Sequence, residues 1–270
     1  MAGPGRMRAR VLASGRVLAG ELRKADTLPS VRWAILGTAL VSGVLGGALA
    51  GASSSRVLST AGIALQLVPY LQAGVVLLGV VVMVHEYAGR QISTTLLATP
   101  RRAAMLAAKS AAVGVGALLT AVAGLGASLG GAALVRTLGA RWDRDEGSGA
   151  VAAHAVVGIS GDDWRRLVGA IVALVLLAVL AYSFSLLLPR LMPALVVVLC
   201  LVFLVPVVVA GLGWTTSWLP SSAVSELTAS AEGLVSHGEL TEAGAGILVM
   251  LGWILCLGGA GALRFFRADA

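Results

Sequence analysis

Residues 167–188 read LVGAIVALVLLAVLAYSFSLLL, residues 189–190 are Pro189-Arg190, and residues 191–213 read LMPALVVVLCLVFLVPVVVAGLG. Across this whole stretch only Arg190 is charged. A helix that crosses a bilayer needs ~20 predominantly apolar residues, and each run supplies them. The runs are continuous, whereas barrel strands alternate polar and apolar positions over ~10 residues. A β-barrel is excluded, and the stretch is two membrane helices joined by a tight basic turn.

Four more runs of the same kind lie outward from this pair, at 33–52, 61–84, 110–135 and 244–263. None of the six contains Asp, Glu, Lys or Arg, although Arg136, Arg190 and Arg264 stand just beyond an end. The expected fold is therefore all-α: one polytopic transmembrane domain over residues 1–270 with six spanning helices. Composition agrees. The chain has 270 residues, 58% apolar and 12% charged, with mean hydropathy +0.93, against ~45–50% and ~25% for soluble domains. A soluble enzyme, a disordered chain and a disulfide scaffold are all excluded. Cys200 and Cys256 sit within apolar runs without a CxxC partner, so they read as small apolar fillers.

The net charge of +7 resolves by position. With the N-terminus inside, the inner segments hold 14 of the 20 Lys and Arg residues and 4 of the 13 acids. Both termini are then expected in the cytoplasm by the excess of Lys and Arg in inner loops. The basic charge reports topology and gives no sign of a nucleic-acid partner. The first 30 residues lack the short apolar core and cleavage site of a signal peptide. Met7, Val11, Leu18 and Leu22 recur at helical spacing between arginines, which suits an amphipathic interfacial helix or, alternatively, a basic tail. Gly43, Gly47 and Gly51, and again Gly126 and Gly130, stand four apart and are expected to let helices approach closely. Pro69 and Pro206 should kink the second and fifth spans.

One connection is more than a tether. Residues 85–109 run His85-Glu86-Tyr87-Ala88-Gly89-Arg90-Gln91-Ile92-Ser93-Thr94-Thr95-Leu96-Leu97-Ala98-Thr99-Pro100-Arg101-Arg102 and on to Lys109. An acid opens it at the membrane edge, and Ser93 or Thr94 can cap a short helix. Ile92 and Leu96 would share one face of that helix, and Pro100 ends it. Such a segment looks like a surface that another protein holds.

The order Glu86, Gly89, Thr95-Leu96-Leu97, Pro100-Arg101 resembles the connection between the second and third spans of type-2 ATP-binding-cassette (ABC) export permeases. The six-span layout with both termini inside matches that family over the whole chain, and Glu21-Leu22-Arg23-Lys24 resembles its entry helix more weakly. The resemblance implies the permease subunit of an ATP-driven exporter in a bacterial-type cell membrane. It implies that the chain pairs with a second permease copy or a homologous permease and is held by ABC ATPase subunits. Glu86, Gly89, Thr95, Leu96, Leu97, Pro100 and Arg101 would form the coupling surface. ATP and Mg would be bound by the partner ATPase, with no cofactor in this chain. For Glu86 a plainer reading stands beside it, a helix-end acid neutralised by Arg90 or Arg101. Arg101 and Arg102 individually suit positive-inside anchors.

The residues point the same way without the resemblance. Ion-coupled carriers usually need an ionisable relay within a span, and none is present. No G-x-x-x-x-G-K-[ST] loop occurs, and the only lysines are Lys24 and Lys109, so the P-loop route to ATP is closed. Histidine is absent from position 89, which breaks any H-E-x-x-H reading of His85-Glu86. No nucleophile elbow occurs either, so the chain is not expected to be an enzyme and no metal is expected.

A transport path should show a few polar or aromatic groups among apolar walls. Gln66 and Tyr70 share a face of the second span, with Gln72 on another, and Phe203 adjoins Pro206 in the fifth. In the family these two spans line the central path, so Gln66, Tyr70 and Phe203 are its candidates, with inter-helix packing as the alternative. The outer loop at 137–166, with Asp143, Asp145, Glu146, Asp162 and Asp163, reads as a hydrated cap. In 214–243, Ser221 and Ser222 can cap a helix with Val224, Leu227, Ala231 and Leu234 on one face, and the resemblance implies a re-entrant or surface helix that closes the outer exit. The cargo implied is an apolar or amphipathic small molecule or a lipid. A non-transporting membrane assembly or immunity protein is the alternative, and a lipid-modifying enzyme lacks an acid–base or metal constellation.

Overall fold

The computed structural model describes residues 29–52, 59–88, 102–145, 159–188, 190–229, 235–236, 239–240 and 242–267. The entry segment before residue 29 lies outside them. The described chain is helical: α1 (Pro29–Ala52), α2 (Thr60–Gln66), α3 (Val68–Ala88), α4 (Arg102–Asp145), α5 (Gly161–Leu187), α6 (Leu191–Leu199), a π-turn (Cys200–Leu204), α7 (Val205–Gly211), α8 (Pro220–Ala229) and α9 (Glu242–Arg267). A two-residue antiparallel pairing of β1 (Val235–Ser236) with β2 (Glu239–Leu240) precedes α9. Five helical segments are long and apolar enough to cross a membrane, and α2 with α3 makes a sixth if the bent pair is one span.

The core is built around α5, which packs on α3, α4, α8 and α9. Its start is fixed by a capping box. The Ser160 hydroxyl accepts from the Asp163 amide at 3.0 Å, and the Asp163 carboxylate accepts from the Ser160 amide at 3.1 Å, which satisfies two otherwise orphan donors. Asp162 and Asp163 therefore belong to the first turn of α5 rather than to a hydrated loop, and they complement the positive end of its dipole. Beyond them Leu174, Leu177, Ala178, Leu180 and Ala181 are fully buried. At the other end the Arg264 guanidinium donates to the Leu187 carbonyl, which the helix itself leaves unpaired.

The α1–α4 contact is the most extensive helix pairing, and small residues make it possible. Gly46 faces the Ser128 carbonyl and Gly131 faces the Gly43 carbonyl so closely that a Cβ at either would overlap backbone. Gly43 and Gly47 thus take the role expected of them. Gly126 and Gly130 do not: both look into open space. On α4 the inward positions are Gly124, Ser128 and Gly131, because the buried stripe Ala117, Ala121, Leu125 and Ala132 turns the other two glycines outward. Spacing alone could not tell which small residues face a neighbour.

The chain bends near Pro69, and near Pro206 it widens into a π-turn, each change displaced from its proline. The α2–α3 break falls at Leu67 and bends the pair by 49°. Pro69 has no N–H for the Leu65 carbonyl and restricts Val68, so the ladder gives way one turn earlier. Leu67 instead donates to Ala64, and Tyr70 to Leu67. In the fifth segment Pro206 offers nothing to Val202, and the chain widens into the π-turn, where the Val205 amide reaches back to Cys200. The third helix also outruns its expected limit of 135 and continues to Asp145. Arg136 and the first part of the supposed outer loop are therefore helical.

Exchanging Gly46 or Gly131 for valine should lower the thermal midpoint of the detergent-purified protein, at a cost of about 1–3 kcal/mol from overpacking. Gly126→Val and Gly130→Val should stay within about 0.5 kcal/mol of the parent, as surface changes do. Equal losses at all four positions in a thermal unfolding series would contradict this packing.

Candidate functional site

Glu86 lies in the last turn of α3, the opening position of the connection to α4. Gly89, Thr95, Leu96, Leu97, Pro100 and Arg101 lie outside the described residues. Arg102 begins α4, so the helices flanking this connection are both placed. Lys109, two turns into α4, is buried at 2% exposure.

The three path candidates all lie on the outside of the single chain. Gln66 ends α2 and is exposed, and Tyr70 on the far side of the bend is 63% exposed. Phe203, within the π-turn, is 40% exposed. Gln72 is buried, so it faces the bundle as its different position on the helix implies. A single copy thus encloses none of the candidates, and they line a path only if a second protein surface stands opposite. Among the described residues no group of three or more His, Cys, Asp or Glu side chains comes together.

Two constellations escape a reading of the sequence. The first is Arg136, which lies inside α4 at 9% exposure and donates to the Thr60 hydroxyl at 3.0 Å. Thr60 opens α2, whose N-cap Ser59 accepts from the Gly62 amide at 2.9 Å. The hydroxyl of Thr60 and the guanidinium of Arg136 therefore tie α2 to α4 at one end of the bundle. The lone arginine beyond a hydrophobic run carried no sign of this, because its partner is 76 positions away.

The second is the fold-back after α7. Gly213 adopts φ +74°, and its amide reaches Ala210 while that of Trp214 reaches Val209. These are the two hydrogen bonds of a Schellman motif, with glycine at the left-handed position. The chain then returns along the bundle. The Trp218 ring stacks on Trp253 of α9 with centroids 6.5 Å apart. The Trp253 indole N–H donates to the Trp218 carbonyl and the Trp218 indole to Thr215, each at 2.9 Å. Trp253 lies about 16 Å along α9 from Glu242 at the helical rise of ~1.5 Å per residue.

From there α8 runs back antiparallel to α9. The Ala223 carbonyl faces Gly246, and the Leu227 carbonyl faces Gly169 of α5. Pro220, Ala223, Val224 and Leu227 are buried. Val224 and Leu227 were expected on a common face, whereas Ala231 and Leu234 lie outside the described residues. Ser221 and Ser222 are not caps: the helix starts at Pro220, whose missing N–H suits the first position. The Ser222 hydroxyl donates to Thr216 and Leu219 at 2.7 and 2.8 Å. On the same helix, burial and then the charge of Glu242 push the Glu226 carboxyl above the usual carboxylate range.

These features define a helical multi-pass membrane protein with one bent helix pair and one half-length helix folded back on the bundle. No family model matches the chain, and no curated protein matches it.

Replacing Thr60 by valine removes the hydroxyl and keeps the shape, which should cost about 1–3 kcal/mol because the bond is to a charged group. Thermal unfolding in detergent measures it; a midpoint equal to the parent's would show that Thr60 does not hold Arg136. Trp253→Phe keeps a ring for stacking but deletes the indole donor and should cost about 1 kcal/mol.

Proposed function

We propose that the chain is the membrane-spanning permease subunit of an ATP-driven exporter of the type-2 ABC class. The observation that carries this reading is the segment from Glu86 to Arg102, whose order of acid, glycine, Thr-Leu-Leu and Pro-Arg resembles the family's ATPase-contacting element. The bundle supports it in three ways. Counting α2 with α3 as one bent span gives six spans. The connection bearing the motif joins the second and third of them. A half-length helix folds back between the fifth and sixth, as the resemblance implies at an outer exit.

In this reading both termini and the 86–102 segment face the cytoplasm, and Thr60, Asp163 and Glu242 lie toward the outside. The two buried cations of α4 support such a placement. Lys109 and Arg136 are about 40 Å apart at the helical rise, which matches the ~40–45 Å of a bilayer with its headgroup layers. Arg264, against the end of α5, stands on the Lys109 side, so basic groups mark the inner face as the charge distribution requires. The membrane is a bacterial-type plasma membrane.

The cycle rests on the resemblance and on a sequence without a P-loop. Two permeases stand face to face, so that Gln66, Tyr70 and Phe203, exposed on one copy, line the space between copies. ATP, with Mg, binds to separate ATPase subunits, which hold the 86–102 segments and move them as they close. The last turn of α3 and the first turn of α4 then shift together. Because α3 packs on α5 and α4 on α1, the shift changes how the inner ends of the bundle meet. The break at Leu67 lets the lower part of this span tilt while α2 stays tied to Arg136. A path lined by Gln66, Tyr70 and Phe203 with few charges suits an apolar or amphipathic small molecule or a lipid.

Two experiments test this. Affinity purification of the tagged chain from its native membrane should recover an ATPase subunit, and Glu86→Ala with Leu96→Asp should lower that recovery by at least about tenfold, the equivalent of 1.4 kcal/mol. Undiminished recovery and ATP-dependent flux in that double variant would overturn the coupling assignment. For orientation, Ile159→Cys in a chain with Cys200 and Cys256 replaced by alanine should react with a membrane-impermeant maleimide on intact cells. Arg190→Cys should react only after permeabilisation, and the reverse pattern would invert the topology.

A further inference from the structure

Helix α8 is fastened by different means along its length. At its Trp218 end a stacked indole pair and the Trp253-to-Trp218 hydrogen bond hold it to α9. At its other end the Leu227 carbonyl abuts Gly169 of α5, and Glu226 faces the first turns of α9. A Glu226 Oε2 lies 3.0 Å from where a Cβ on Gly246 of α9 would stand. Glu242, one turn before Gly246, is in the first turn of the same helix. Like charges across a helix contact oppose it, and the opposition grows as water is excluded.

The neighbouring groups do not cancel this. Among the described residues, the π-turn that touches α8 brings only Cys200, and α5 brings Asp162, Asp163, Arg165 and Arg166 in its opening turns. Arg165 is directed at Asp162, 3.7 Å away. Glu226 is the member of the pair held above the usual carboxylate range, by burial first and then by the charge of Glu242.

We propose that α8 is a hinged cover, fixed at Trp218 and released at its Glu226 end when Glu226 and Glu242 are both ionised. Its seating on α9 then follows the proton concentration on that side of the membrane. The sign is fixed by linkage: the seated form binds more protons than the lifted one, so rising pH favours the lifted form. The consequence for traffic rests on the exporter reading, because a lifted α8 uncovers the flank between α5 and α9 at the outer exit. The movement itself needs no ATPase and no cargo.

Hydrogen exchange of the full chain in lipid nanodiscs, read by mass spectrometry, tests the device directly. Labelling times are scaled to the intrinsic chemical rate so that conditions from about pH 5 to about pH 8 are comparable. Protection of residues 220–229 should fall by at least about tenfold across that range, while residues 170–181 of α5 hold theirs. Glu226→Gln should keep α8 protected throughout, and Glu242→Gln should reduce the pH effect by removing the other charge. A wild-type α8 whose protection ignores pH overturns the proposal. So does an unchanged pH response in both variants, or a parallel loss in α5, which would report general loosening. The exporter reading fails separately, by an absence of ATP-dependent flux in the same preparation while α8 still responds to pH.

Discussion

Everything in this bundle depends on the need to satisfy backbone and hydroxyl groups where lipid offers no partners. Each unpaired amide or carbonyl in hydrocarbon costs several kcal/mol, which leaves continuous helices as the default. The polar side chains within the apolar runs obey the same demand. Thr38 bonds to Ala34, Ser42 to Thr38, Ser183 to Val179 and Ser185 to Tyr182, each returning its hydroxyl to a carbonyl of its own helix. Association of the helices then falls to close packing, since lipid tails remove much of the hydrophobic drive between them. That is why the backbones of α1 and α4 meet at Gly43, Gly46 and Gly131, and why the centre of α5 is so rich in alanine.

Departures from regular helix are few, and each comes with a substitute bond. At Leu67 the donor turns to Ala64; in the π-turn Val205 reaches one residue farther back, to Cys200; at Gly213 two amides close over the end of α7. The first two sit next to a proline that withholds a donor, and the third uses the residue that adopts positive φ without steric cost. A bundle held only by straight helices would have little freedom to change shape. Here the bent second span and the widened fifth span place that freedom next to Gln66, Tyr70 and Phe203. The breaks and the candidate path fall on the same two spans.

The sequence made the spans legible because length and continuity of apolar residues are local properties. Five of the runs reappear as single helical segments and the sixth as the bent α2–α3 pair. Pro69 announced a bend, though not its register, since the bond lost lies upstream of the ring, while near Pro206 the helix widens into a π-turn. What stayed hidden is relational. Whether Gly126 or Gly131 faces α1 depends on the rotation of α4 about its axis, and both belong to the same glycine-rich run. Arg136 looked like a residue beyond a membrane edge because its partner Thr60 is remote in sequence. The Trp218–Trp253 pair was likewise invisible: the two indoles are 35 positions apart, and only the turn at Gly213 brings them together. The connection from Glu86 to Arg102 was the reverse case, a motif carried by the order of its residues alone, most of which lie outside the described residues.

The placement of charge ties these levels together. Spans free of acids and bases leave electrostatics to their ends, and the two ends are treated differently. At the Arg264 end a cation covers a helix carbonyl, and Lys109 is buried nearby in the same direction along the bundle. Arg264 thereby complements the negative pole of α5. At the Glu242 end Arg136 is bound by Thr60 and fixes α2, whereas α8 meets α9 through two acids. One side of this end is therefore clamped, and on the other the packing of Leu227 on Gly169 works against the repulsion between Glu242 and an ionised Glu226. A protein that only needed to be stable would gain by replacing Glu226 with a neutral residue, since its partial burial beside Glu242 opposes the contact.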